Sequence, residues 1–304
     1  MFDIRLFLRL RYTLQRILAI DYYEKSGFLY LNEEELSEKM RDSLANALPL
    51  CIGKIGGNEL NSVFSRYLRN KKFKEKSFDR LCYYAGFFPN TYDKGYYDRY
   101  IDEQMHAISD LDIIIKFHKK YEQFILRRHG SENLECIDAI GSWQQEIPWT
   151  KELAGYRVVV VHPFAKLIEQ QYEKRELLYP NSDVLPEFDL RVVEAVQTIA
   201  ESNESRFDTW FQALDYMFAE IMKEDFDIAL IGCGAYGLPL AAKVKEAGKI
   251  GVHMGGDLQM LFGIRGKRWD DREKAKRWFN DAWVRPGNEY KPKGFDVVED
   301  GCYW

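Results

Sequence analysis

The sequence lacks the features that mark secreted, membrane and nucleic-acid-binding chains. Its cysteines are few: Cys51, Cys82, Cys136, Cys233 and Cys302. Their number is odd and no two are spaced CxxC, which argues against a disulfide framework or a thiolate zinc site and points to a reducing, cytoplasmic setting. No apolar run approaches the ~20 residues that cross a bilayer. The N-terminus has no signal-peptide pattern, because Arg5, Arg9, Arg11 and Arg16 interrupt its apolar residues. An excess of positive charge is missing too, since 43 Lys and Arg stand against 48 Asp and Glu for a net charge of −5. That balance counts against nucleic acid as a partner. Internal repeats, low-complexity tracts and Pro/Gly/Ser-rich linkers are absent. So are a GxSxG elbow, an HExxH pair and a GxxxxGK[ST] loop, which removes the usual carriers of hydrolase and NTPase chemistry.

What is present suits a folded α/β enzyme. The 304 residues are 46% hydrophobic, enough for one large core or two joined halves. Aromatic rings are abundant, and flat rings stack on sugars and bases. Phe2 to Ile20 reads as an amphipathic helix, with Leu6, Leu10, Leu14 and Ile17 on one face and Arg5, Arg9 and Arg16 on another. An ordinary docked helix with solvated arginines accounts for this pattern. A peripheral contact with an anionic membrane is the alternative. Residues 1–47 are therefore an N-terminal helical segment ahead of an α/β domain over 48–304.

Within 48–304, short apolar strands alternate with Gly- or Pro-marked turns and helical patterns. The strands read as Leu50–Ile55, Cys136–Ile140, Tyr156–Val161, Asp227–Ile231 and Ile250–Met254, with Val192–Ile199 open between strand and helix. This alternation predicts a Rossmann-like, mainly parallel sheet flanked by helices. Tyr92 to Arg128 reads as a helical insertion, and Trp269 onward as a helix and an irregular tail. Two halves meet near residue 150 without a linker.

In open α/β sheets, ligands bind beyond the carboxyl ends of the strands, so the turns there carry the function. Gly232-Cys233-Gly234-Ala235-Tyr236-Gly237 matches GxGxxG between a strand and a helix, a pattern that lets backbone approach a phosphate. Tight strand–helix packing explains the same glycines. An NAD site is disfavoured, because the next strand ends Val252-His253-Met254 without the acidic ribose clamp. The turn Gly56-Gly57-Asn58-Glu59 places a carboxylate in a first helical turn, with Asn58 as the expected N-cap. Glu59 serves there either as a helix-stabilising residue or as a ligand to a divalent ion, Mn or Mg. Gly255-Gly256-Asp257-Leu258-Gln259 leads into Arg265, Lys267 and Arg268, a glycine-rich basic loop suited to an anion. His162 precedes Pro163 at a strand end and faces the same rim. Gln171, Tyr172 and Arg175 continue one helix beyond it.

These residues resemble GT-D glycosyltransferases. The resemblance rests on the early Gly57-Asn58-Glu59 turn paired with the late Ile231-Gly232-Cys233-Gly234 turn. It also rests on HPF…QYEKRE…LPEF, GCGAYGLPLAAKVK, GVHMGGDLQMLFGIRGKRW and the final VEDGCYW. It runs from about Leu48 to Trp304 and extends to proteins encoded among bacterial surface-polysaccharide genes. It implies a hexosyltransferase-type enzyme that takes a nucleotide diphosphate sugar, UDP-linked by analogy, and a glycan, lipid-linked or protein acceptor. The family triplet Asp-x-Glu, which engages a metal and the donor diphosphate, is Gly57-Asn58-Glu59 here. One carboxylate has gone, and Asn58 or the basic loop would have to supply what it did. His162 and Asp257 are the candidate general bases. A non-catalytic nucleotide-sugar-binding module and an NAD-linked oxidoreductase are the competing readings.

Overall fold

Four consecutive valines show how the sheet is built. Val158, Val159, Val160 and Val161 are all fully buried. Val159 and Val161 pack into one hydrophobic core, Val158 and Val160 into the other. Only a strand covered on both faces can bury successive side chains this way. The computed structural model describes residues 4–8, 10, 13, 27–117, 121–200 and 206–304. Its eight strands are β1 Leu29–Tyr30, β2 Leu50–Gly53, β3 Ile113–Ile115, β4 Glu135–Ile137, β5 Arg157–His162, β6 Asp189–Glu194, β7 Ile228–Ile231 and β8 Ile250–His253. They form one sheet in the order β1-β4-β3-β2-β8-β7-β5-β6. Every pairing is parallel, so the fold is α/β and Rossmann-like.

From residue 27 onward, the helices of two turns or more are α1 Glu33–Ala45, α2 Gly57–Ser65, α3 Lys71–Ala85, α4 Lys94–Ser109, α5 Glu122–His129, α6 Ala165–Tyr172, α7 Trp210–Lys223 and α8 Gly237–Glu246. Their ends follow local chemistry. Asn32 and Glu35 form a reciprocal capping box on α1, and Thr209 and Gln212 do the same on α7. Gly86 stops α3 in the left-handed conformation.

The two halves join where β2 pairs with β8, so strands β1–β4 and β5–β8 make one continuous sheet. The segment read as helical up to residue 47 also supplies the edge strand β1, and Leu36, Met40 and Leu44 of α1 lie in the second core. The region read as a helical insertion over Tyr92–Arg128 contains a strand as well. Ile113, Ile114 and Ile115 are fully or almost fully buried, and β-branched residues covered on both sides favour the sheet over the helix. β6 ends at Glu194, and the chain from Ala195 to Ile199 is irregular, so Val192–Ile199 is neither wholly strand nor helix. The helix read through Gln171, Tyr172 and Arg175 breaks after Tyr172. The helix beginning near Trp269 is two single turns, Lys267–Asp270 and Glu273–Lys276.

Of the expected N-terminal helix, residues 4–8 are helical. Leu8 is buried in the first core while Leu6 and Leu10 are exposed. Arg9, Arg11, Leu14, Arg16 and Ile17 lie outside the described residues. Among the described residues no helix is long and apolar enough to cross a membrane.

Candidate functional site

β5 and β7 are neighbours whose onward connections leave in opposite directions, β5 outward to β6 and β7 back to β8. The two crossovers lie on opposite faces. Ile168 of α6 packs in one core, and Leu240, Ala241 and Val244 of α8 pack in the other. Such a switch point opens a crevice at the carboxyl ends of the strands. A cleft lies there, and the turns after β2, β5, β7 and β8 all line it. Gly56, Gly57, Asn58 and Glu59 come from the first turn, His162 from the second, Gly232, Gly234 and Tyr236 from the third. Gly255, Gly256, Gln259 and Arg268 complete the set. Glu59, Gly234 and Arg268, far apart in the chain, thus share one cavity.

The β2 turn is shaped around Glu59. The N-cap of α2 is Gly56 and not Asn58, with no side-chain cap bond. A Cβ at position 56 would stand 2.1 Å from Glu59 Oε2, so the glycine gives the carboxylate room to fold back over the helix start. Asn58 instead accepts a hydrogen bond from Arg80 Nε at 3.4 Å. Just before this turn, Lys54 reaches across to the β8 turn. A Cβ at Gly255 would lie 2.8 Å from Lys54 Nζ. The ammonium is 3.7 Å from Asp257 Oδ2 and 5.8 Å from the Phe117 ring centre.

In the β7 turn Gly234 has φ +59°, a conformation costly for any residue with a Cβ, while the space beside it is open toward the cleft. Gly237 serves packing, since a Cβ there would meet the His253 ring at 2.1 Å, and it does not line the cleft. Tyr236 stacks on Trp210 with ring centres 4.8 Å apart, and its hydroxyl lies 3.0 Å from Thr198 Oγ1. Thr198 in turn donates to Gly86 O at 2.5 Å. This wall is therefore held rigid by its own contacts.

Two histidines at the cleft end β5 and β8, the strands on either side of β7. His162 Nδ1 accepts the Phe164 N–H at 3.0 Å, which leaves the ring proton on Nε2. Burial lowers the pKa of His162 to about 3. Burial, with Lys54 nearby, lowers that of His253 to about 3 as well. Both rings stay neutral at pH 7. His162 is thus a hydrogen-bond donor and a poor base.

The far wall comes from the end of the described chain. Gln259, buried, donates to Tyr303 O at 3.1 Å and so ties the tail Val298–Trp304 against the β8 turn. Trp304 donates its indole N–H to Tyr290 O at 2.8 Å. Arg268 lies over the Tyr303 ring at 4.5 Å. The other two cations of the basic loop are elsewhere. Arg265 pairs with Asp270 at 3.3 Å and lies over Phe279 at 4.1 Å, and Lys267 is solvent-exposed. Neither lines the cleft, and neither does Asp257, which sits behind Gly256 against Lys54 and Gln144. Gln171 and Tyr172 serve packing. Gln171 donates to Ala282 O at 2.9 Å, and the Tyr172 hydroxyl donates to Phe188 O at 2.9 Å.

Sequence reasoning missed Lys54, Tyr84, Phe117, Thr198 and Trp304, all of which line the cleft. Lys54, a cation directly after a strand and two residues before Gly56, is the most readable of them.

As a metal centre the cleft is poorly supplied. Among the described residues, Glu59 belongs to no group of three potential His, Cys, Asp or Glu ligands. The neighbouring Asn58 oxygen already accepts from Arg80, and Lys54 and Arg268 bring positive charge to the same cavity. No family model matches the chain, and no curated protein or solved structure matches it.

Proposed function

We propose that the protein is a glycosyltransferase that takes its sugar from a nucleotide diphosphate sugar, UDP-linked, in the synthesis of a surface polysaccharide or glycoconjugate. The observation that carries this reading is the convergence of Glu59, Gly234 and Arg268 on one switch-point cleft. The N-terminus of α2 opens onto it, the turn leading into α8 lines it at Gly234 and Tyr236, and helix starts favour anions. A diphosphate would lie across the Gly234 and Gly255 turns between Lys54 and Arg268. Those two cations would neutralise the charge that develops on the leaving diphosphate. Tyr84, Phe164 and Trp304 give flat apolar surface for a base or a sugar.

Glu59 is the carboxylate that reaches the cavity, and it would orient the acceptor hydroxyl or take its proton. His162 would donate through Nε2–H. No step is assigned to a metal: Glu59 is the one carboxylate of the four turns at the cleft, and Lys54 and Arg268 supply positive charge there. The acceptor is a glycan, a lipid-linked glycan or a protein. Five cysteines that form no disulfide, four of them buried, accord with a cytoplasmic enzyme.

Titration of UDP into the purified chain, with and without manganese, tests the proposal. Binding that is unchanged by manganese supports it, and absence of binding under both conditions removes it. The second reading is a nucleotide-sugar-binding module without turnover. Two observations favour it: His162 is a poor base, and Asp257 does not line the cleft, which leaves Glu59 as the one carboxylate of the four turns that does. UDP binding without release of UDP from any UDP-sugar would select that reading.

A further inference from the structure

A second constellation lies at the opposite, amino edge of the sheet. α4 ends just before β3, and α8 ends just before β8. His106 sits in the last turn of α4, Asp110 is its C-cap, and Glu246 is the last residue of α8. One ligand atom from each of the three lies within 4.8 Å of the others. His106 Nε2 is 2.5 Å from Glu246 Oε1 and 3.6 Å from Asp110 Oδ2. The Asp110 Oδ2 atom is buried and has no hydrogen-bond partner. None of the three residues lines the cleft.

Two helix C-termini meet here, and their partial negative charges add to two carboxylates. Lys245, the nearest cation, is directed at Asp110 O and Asp112 Oδ1, at 2.7 and 2.8 Å. An imidazole nitrogen with two carboxylate oxygens is a donor set that suits Zn2+ and related divalent ions. Bonds of about 2.0–2.2 Å in a tetrahedral site put ligand atoms roughly 3.3–3.6 Å apart. The His106–Asp110 spacing already meets that distance. The His106–Glu246 spacing would open by about 1 Å once a cation replaced the proton shared between them.

We propose that His106, Asp110 and Glu246 form a divalent-cation site, with water completing the coordination. The ion clasps α4 of the first half to α8 of the second. α8 also follows directly on the Gly234–Tyr236 turn that lines the cleft, so the site secures that helix from its other end. The proposal is independent of the nucleotide reading.

The test is calorimetric titration of zinc chloride into the chelator-treated full chain. One zinc per chain is expected. His106→Ala and Glu246→Ala should each weaken it roughly tenfold or more, the scale of losing one charged contact. Glu59→Gln should leave it unchanged, which separates this site from the cleft. Cobalt added to the unmutated chain should give visible absorption bands that zinc abolishes, a readout that needs no variant. Absence of zinc binding by the unmutated chain would overturn the proposal. So would zinc binding of undiminished affinity by the H106A/E246A double variant, or its loss in E59Q.

Discussion

Lys54 Nζ and Asp257 Oδ2 stand 3.7 Å apart, an ion pair that links the turn after β2 to the turn after β8 across the seam of the two halves. The lysine crosses Gly255, whose missing side chain leaves the passage open. Asp257 pairs with the ammonium from behind Gly256, and Lys54 lines the cavity. Positive charge thereby reaches the cleft from a residue outside the basic loop.

The first prediction concerns which cations matter. Lys54→Met and Arg268→Met should each weaken UDP binding by about 1.5–3 kcal/mol, the cost of one charged hydrogen bond. Arg265→Met and Lys267→Met should leave affinity nearly unchanged, since neither residue lines the cleft. Calorimetry on the four variants checks this. Equal losses at all four would mean a diffuse field and no specific clamp.

Glu59→Gln should separate binding from turnover. UDP affinity should stay within about threefold, because the amide keeps the shape of the helix start. Release of UDP from a UDP-sugar should fall by about 100-fold or more, the scale of general acid–base catalysis. A matching loss in affinity would instead make Glu59 a donor-binding residue.

The buried histidines give the fold a pH dependence of definite sign. His162 and His253 have pKa values near 3 in the folded chain against 6.5 when free. The unfolded chain binds their protons first, so stability is greatest above the free value and falls as pH drops from 6.5 toward 3. Each histidine contributes up to about 1.4 kcal/mol per pH unit in that window. Urea unfolding at pH 7, 6 and 5 should show the decline, and His162→Gln should make it shallower. An unchanged slope in that variant would place the protonation elsewhere.

Two glycines of one motif should respond differently to alanine. Gly234→Ala meets open space and suffers only from its positive φ, about 1–2 kcal/mol. Gly237→Ala would push against the buried His253 ring and should cost more, with incomplete folding as the visible result. Comparable melting temperatures for the two variants would show that the packing at Gly237 yields easily.

Much of this arrangement was legible in the sequence, for physical reasons. Apolar runs such as Val158–Val161 suit doubly covered strands, and the glycines or the His162-Pro163 pair that follow such runs mark the carboxyl edge. β3 was hidden because a three-isoleucine run between helical patterns is too short for periodicity to decide. Asn58 looked like a cap, yet the helix starts two residues earlier, where Gly56 makes room for Glu59. The basic loop presented three cations, and only the turn at Lys267–Asp270 determines that Arg268 backs onto Tyr303 while Arg265 meets Asp270. The role of Lys54 depends on a contact with a residue about two hundred positions away, which no local pattern encodes. The tail at Trp304 becomes a cleft wall because Gln259 and the backbone N–H groups of Lys267 and Arg268 tie it down, contacts distant in sequence.

The most direct measurement is a crystal structure of the chain soaked with UDP and manganese. The diphosphate should rest on the Gly234 and Gly255 turns, with Lys54 and Arg268 on its oxygens and no manganese required to hold it there. A diphosphate bound away from these turns, or one held through manganese on Glu59 with Lys54 turned aside, would contradict this account.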